Sequence, residues 1–179
     1  DDDEDEENDL VEESILDLAT SRFRANRMLK WHYRSRHESL IDFSNHHFYQ
    51  NQLIIPPSPI TTSAVTTTKV DAYYKGKINI QEKDKLIKDI IPFMSKNIRK
   101  GDGDKKSKSC LIVTMNIFQA ESIEDDLNKK KLEYPVIEEY ENSWKDTGEE
   151  FTVKNLESVQ GDERDVIFIS TLFGPEKPG

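Results

Sequence analysis

F-T-V-K-N-L-E-S-V-Q-G-D-E-R-D-V-I-F-I-S-T, residues Phe151 to Thr171, sets a charged elbow, Gln160-Gly161-Asp162-Glu163-Arg164-Asp165, between two apolar runs. The second run, Val166 to Thr171, is short, β-branched and aromatic, and the breakers Gly174 and Pro175 follow it. That composition predicts a strand buried on both faces, as in a parallel sheet. Parallel sheets bind ligands at their strand ends. In the elbow, polar residues able to contact phosphate, ribose or a neighbouring domain crowd around Gly161, whose missing Cβ lets backbone approach a ligand. The stretch reads as a site rather than as core.

Outward from this stretch, strand and helix patterns alternate back to Met28. Cys110 to Met115 reads as a central strand, followed by Asn116 as a helix cap, with Gln119 placed to reach back in a capping box. That helix should end near Lys129-Lys130-Lys131, where positive charge suits the carboxyl end of a helix dipole. From Asn79 to Met94 the stripe Leu86, Ile87, Ile90 and Ile91 predicts a helix packed on the sheet, with Pro92 kinking or shortening its end. Val70 to Tyr74 reads as a strand, Lys75 to Lys77 as its turn, and Arg27 to Tyr33 as another short strand. Between these, Ser39 to Leu53 suits a helix ended by the cluster Pro56, Pro57 and Pro59, and Ile60 to Lys69 an exposed loop. Arg99 to Ser109, with two glycines and four lysines, reads as a mobile basic loop; Glu133 to Glu150 shows no assignable period beyond one short turn. The whole pattern is that of a three-layer α/β domain with a mainly parallel sheet.

Length and charge bound the function. A chain of 179 residues accommodates one domain and a tail, here residues 21–179 and 1–20. The net charge of -10 belongs to the tail: Asp1 to Ser14 holds ten acids and no base, and the other 165 residues balance 25 acids against 25 bases. Acidity therefore does not exclude nucleic acid, and the tail should be solvated. Within Leu10, Val11, Ile15, Leu16 and Leu18 a near-helical spacing predicts a short helix able to dock on the domain. From Ser21 to Arg36 the sign reverses, with six bases and no acid: either a solvated face or a phosphate-facing strip. The single Cys110 excludes an internal disulfide and sits in an apolar run, as a core thiol would. No apolar segment approaches the ~20 residues of a membrane span, and with no signal peptide the cytoplasm is the expected location. The chain begins with Asp and stops just after a Gly-Pro turn, as expected of a piece of a longer protein.

Three segments carry chemistry, each following a predicted strand: Trp31 to His37, Val113 to Gln119, and the opening stretch. Tyr33 offers a flat face for a base, Arg34 a fork of donors for phosphate oxygens, and Glu163 an acceptor for ribose hydroxyls. Four histidines, His32, His37, His46 and His47, have no cysteine partner, and the adjacent pair His46-His47 points two ways on a helix, which argues against zinc.

The segments L-K-W-H-Y-R-S-R-H-E-S-L-I-D-F-S-N-H-H-F-Y, I-V-T-M-N-I-F-Q and V-Q-G-D-E-R-D-V-I-F-I-S resemble motifs IV, IVa and V of superfamily 1 helicases, in that order. The nearest likeness is to the Upf-like branch, and within it to large bacterial helicase-related proteins. The resemblance implies the second of two RecA-like, P-loop NTPase-type domains, with ATP and Mg held mainly by the first domain of the same parent protein. It further implies that Tyr33 stacks on adenine, that Arg34 contacts the γ-phosphate and acts catalytically, and that Gln160, Gly161 and Glu163 lie at the nucleotide. Thr114, Asn116 and Asn155 would face the nucleic-acid backbone, DNA being favoured over RNA. Motif IV of that branch reads Q-Y-R-M-H-P; His32, Ser35, Arg36 and His37 replace its Gln, Met, His and Pro, so only the Tyr33-Arg34 pair carries over. The chain contains no G-x-x-x-x-G-K-[ST] loop, no acidic magnesium motif and no motif VI arginine. Taken alone it should not hydrolyse ATP. The rival expectation is a degenerate, non-catalytic RecA-like interaction module attached to a nuclease-type protein.

Overall fold

The computed structural model describes residues 15–23, 27–74 and 76–175, in a chain that divides into two compact units, residues 1–67 and 68–179. In the second unit β1 (Cys110–Thr114), β2 (Thr152–Asn155) and β3 (Val166–Ser170) form a parallel sheet in the order β2-β1-β3. The register sets Thr114 level with Asn155 on one side and with Ser170 on the other. Every residue of β1 is buried, as expected of a central strand with an unbroken apolar sequence. Cys110 and Ile112 point to the face on which α3 (Ile80–Lys96), α4 (Ile117–Lys130) and α5 (Val136–Trp144) pack, forming one apolar core. The unit is therefore α/β with a parallel sheet, as the alternation predicts.

The helices form for local reasons and are kept by this core. Asn79 caps α3 by accepting the Glu82 N–H at 3.1 Å, and Leu86, Ile87, Ile90 and Met94 bury one stripe. Pro92 does not end the helix. It lies on the exposed side, and buried Met94 keeps the last turn docked, so packing outweighs the lost backbone bond. In α5 the sequence pattern is hidden by five polar residues, yet Ile137, Tyr140 and Trp144 recur at helical spacing and are buried. The Tyr140 hydroxyl donates to the Lys108 carbonyl at 2.9 Å and the Trp144 indole to the Asn97 carbonyl at 3.1 Å, which satisfies both polar tips inside the core.

Several expectations are corrected. β3 is an edge strand among the described residues, and it is not buried on both faces: Ile167 and Ile169, on the face away from the helices, are 45% and 59% exposed. Val70 to Tyr74 forms no strand among the described residues, and the Tyr74 N–H donates to the Pro175 carbonyl at 3.1 Å. The basic loop is tied together by Asp104, which accepts from the N–H groups of Lys100, Lys106 and Ser107 and from the Ser107 hydroxyl.

In the first unit the segment Arg27 to Tyr33 makes one parallel bridge, Trp31 to Ile54, in place of a strand. A short 3₁₀ turn, Glu38–Leu40, leads into α2 (Asp42–His47), which ends well before the prolines because Gln50 and Asn51 take positive φ. α1 (Ile15–Arg22) forms but buries none of its residues; Leu10 and Val11 lie outside the described residues, as do Arg24 of the basic strip and Lys75. No helix among the described residues is long and apolar enough to cross a membrane.

Candidate functional site

The carboxyl edge of the sheet is built from residues that sequence reading places near a nucleic-acid strand. Thr114 and Asn155 are neighbours there, and Asn116 follows at the start of α4. Thr114 is fully buried, and its hydroxyl donates to the Asn116 carbonyl at 2.6 Å, shaping the turn into α4. Asn116 accepts the Gln119 N–H at 2.8 Å and donates its amide to the Lys77 carbonyl at 3.0 Å. Asn155 donates to the Glu157 carboxylate at 2.7 Å.

Beneath this edge lies a buried polar network that sequence reading did not find. The Gln119 side chain does not reach back to its own cap, as a capping box requires. It accepts the Asn79 N–H at 3.0 Å and donates to the Asn79 carbonyl at 3.2 Å and the Ser170 hydroxyl at 3.3 Å. Asn79 in turn donates to the Leu172 carbonyl at 3.0 Å, and the Glu82 carboxylate accepts the N–H groups of Thr171 at 2.7 Å and Leu172 at 2.8 Å. Leu172 is held there at φ 65°, a conformation that costs an ordinary side chain energy. The available signal was Gln119 itself, a polar residue on the buried stripe of a helix.

The elbow crosses the opposite face of the sheet. Val153 joins the helix-side core, so Lys154 points the other way, and there it forms an ion pair with Asp162. Gly161 sits at φ 88° with open space where a Cβ would go, so its glycine answers a backbone requirement and no close contact within this chain. Arg164 donates from Nε and Nη2 to the Glu150 carbonyl at 3.1 and 2.8 Å, and Asp165 exchanges bonds with Ser109, the residue before β1. The chain is thus returned to the amino edge before β3 begins. Strand-end reasoning therefore corrects as follows: Thr114, Asn116 and Asn155 share the carboxyl edge, whereas Glu163, exposed, is on its way to the other.

In the first unit Tyr33 is 89% exposed and Arg34 is exposed beside it. Among the described residues no group of His, Cys, Asp or Glu could hold a metal ion. Cys110 is buried against Tyr140, and burial pushes its thiol up to about 12, which leaves it unreactive.

Over 161 residues the chain is 32% identical to an uncharacterized ATP-dependent helicase, MG140, of Mycoplasma genitalium, and 31% identical to its homolog in Mycoplasma pneumoniae. The chain is similar to a segment of ATP-dependent helicases. The likeness covers 88% of this chain but only 14% of each relative, so it reports on a small part of those proteins. No family model matches the chain, and no solved structure matches it at a significant level.

Proposed function

We propose that this chain is the second RecA-like domain of an ATP-dependent superfamily 1 helicase or translocase of the Upf-like type, with residues 1–20 as an acidic tail. The observation that carries this reading is the likeness to ATP-dependent helicases across 88% of the chain. The parallel sheet and the order of the three motif-like segments agree with it.

In this reading the Tyr33 ring stacks on the adenine base and the Arg34 guanidinium donates to the terminal phosphate, offsetting charge as it develops there. In the second unit, read by itself, Gln160, Gly161 and Glu163 are proposed as nucleotide contacts, with Glu163 accepting from the ribose hydroxyls. Bound ATP supplies the phosphoryl group that is transferred to water. Magnesium does not fit the residues present, which offer no carboxylate cluster to hold it; its ligands belong to the first RecA-like domain of the parent. Asn116 and Asn155, on the carboxyl edge, hold the backbone of a nucleic-acid strand, DNA in preference to RNA, and Thr114 acts through the turn it shapes.

Replacing Arg34 with alanine in the full-length protein should lower nucleic-acid-stimulated ATP turnover by about a hundredfold or more without changing thermal stability. An unchanged turnover number would favour a non-catalytic module.

A further inference from the structure

Tyr33 and Arg34 protrude from a turn that is pinned by the residues where this chain departs from its motif. The His32 Nε2 accepts the Ser35 backbone N–H at 3.2 Å and lies 2.7 Å from the Ser35 hydroxyl. Because Nε2 accepts an amide proton, the hydrogen-bond network assigns the ring proton to Nδ1. On the far side His37, which is buried, accepts the Ser39 N–H through Nδ1 at 3.1 Å, so that Nε2 is left to donate to the Ile60 carbonyl at 3.0 Å. Two imidazoles thus frame the segment from Tyr33 to Arg36. The backbone that carries Tyr33 and Arg34 is thus tied on both sides before any partner arrives.

We infer that His32 and Ser35 form a positioning clamp: the imidazole fixes the turn that sets the Tyr33 ring and the Arg34 guanidinium on their ligand. The inference rests on reading Tyr33 and Arg34 as nucleotide contacts. Neither His32 nor Ser35 touches the reacting atoms. They act through their neighbours, by paying the ordering cost during folding rather than at binding, and a small misplacement of a phosphate-contacting group is enough to slow a reaction severely.

Reach makes the clamp testable. In glutamine the amide oxygen stands the same number of bonds from Cα as Nε2 does in histidine, whereas in asparagine it falls one bond short. His32→Gln should therefore keep the acceptor for the Ser35 N–H, and His32→Asn and His32→Ala should lose it. In the full-length protein, ATP turnover at saturating nucleic acid should fall about tenfold in His32→Asn and His32→Ala, mostly in kcat, and stay within about twofold of the parent in His32→Gln. Amide exchange of the peptide from Trp31 to Arg36 should quicken in the same two variants and not in the third. If the three variants behave alike while Arg34→Ala abolishes turnover, the clamp is wrong and the nucleotide reading stands. If Arg34→Ala leaves turnover unchanged, the nucleotide reading fails and takes the functional role of the clamp with it, whatever the exchange rates show.

Discussion

Gln119 is fully buried, and its amide joins the cap of α3 to the end of β3. Its replacement by leucine conserves volume but strands the Asn79 N–H, which is buried and has no water to turn to. We expect Gln119→Leu to cost about 2–3 kcal/mol in chemical denaturation, well above the cost of a surface substitution. The neighbouring Glu82 accepts two backbone N–H groups from a segment that includes Leu172 in its left-handed conformation. That pairing explains how a buried leucine is kept at φ 65°: the strain is offset by a charge-assisted bond on its N–H, by another on the N–H of Thr171 before it, and by the Asn79 amide on its carbonyl.

Between α3 and α4, Lys83 crosses to Asp126 and donates to the Ser122 hydroxyl at 3.0 Å. The hydrogen bond from Lys83 holds the Asp126 carboxyl below its ordinary range, with Lys129 adding to it at 3.2 Å. The two partners are not equivalent, because Lys83 is nearly buried and Asp126 reaches solvent. Asp126→Ala leaves a nearly buried ammonium with only the Ser122 hydroxyl and should cost about 1–3 kcal/mol; Lys83→Met leaves Asp126 with Lys129 and water and should cost less. Thermal unfolding of the two variants checks the order, and equal melting points would refute it. The basic loop makes a separate prediction. Its four bonds hold the Asp104 carboxyl well below the usual carboxylate range, the Ser107 hydroxyl contributing most. A carboxyl lowered in the folded state contributes its full stability above the unfolded value and loses it progressively as pH falls from there to the lower folded value, while the folded-state group itself protonates only at the latter. The Lys106 and Ser107 amide resonances should therefore stay in place at pH 4, where a free aspartate is partly protonated, and move only in stronger acid.

Charge dominates at the scale of the molecule. Deleting Asp1 to Ser14 removes ten acids and brings the formal charge from -10 to zero. If the tail competes with nucleic acid for the basic strip between Ser21 and Arg36, the deletion should strengthen binding several-fold at low salt, with the difference fading as salt is raised. Equal affinity at low salt would remove the tail from the account. The same scale bears on catalysis: with no phosphate loop in its sequence, the isolated chain should show no ATP turnover.

What could be read without coordinates was whatever a few adjacent residues decide. The β-branched runs of β1 and β3, the stripe of α3 and the Asn116 cap are all local, and each stands in the structure close to where the pattern put it. α5 was not legible, because its polar residues hide a stripe that only the core selects. Val70 to Tyr74 has strand composition but forms no ladder among the described residues, and β3 has one exposed face because α3, α4 and α5 all pack on the other. The residues named for nucleotide and strand contacts came from the resemblance to helicase motifs, and they remain proposals. Their surroundings were not legible. Gln119 meets Asn79 across 40 positions and Glu82 meets Leu172 across 90, and a hydrogen bond leaves no local trace when its partners are brought together only by the packing of helices on a sheet.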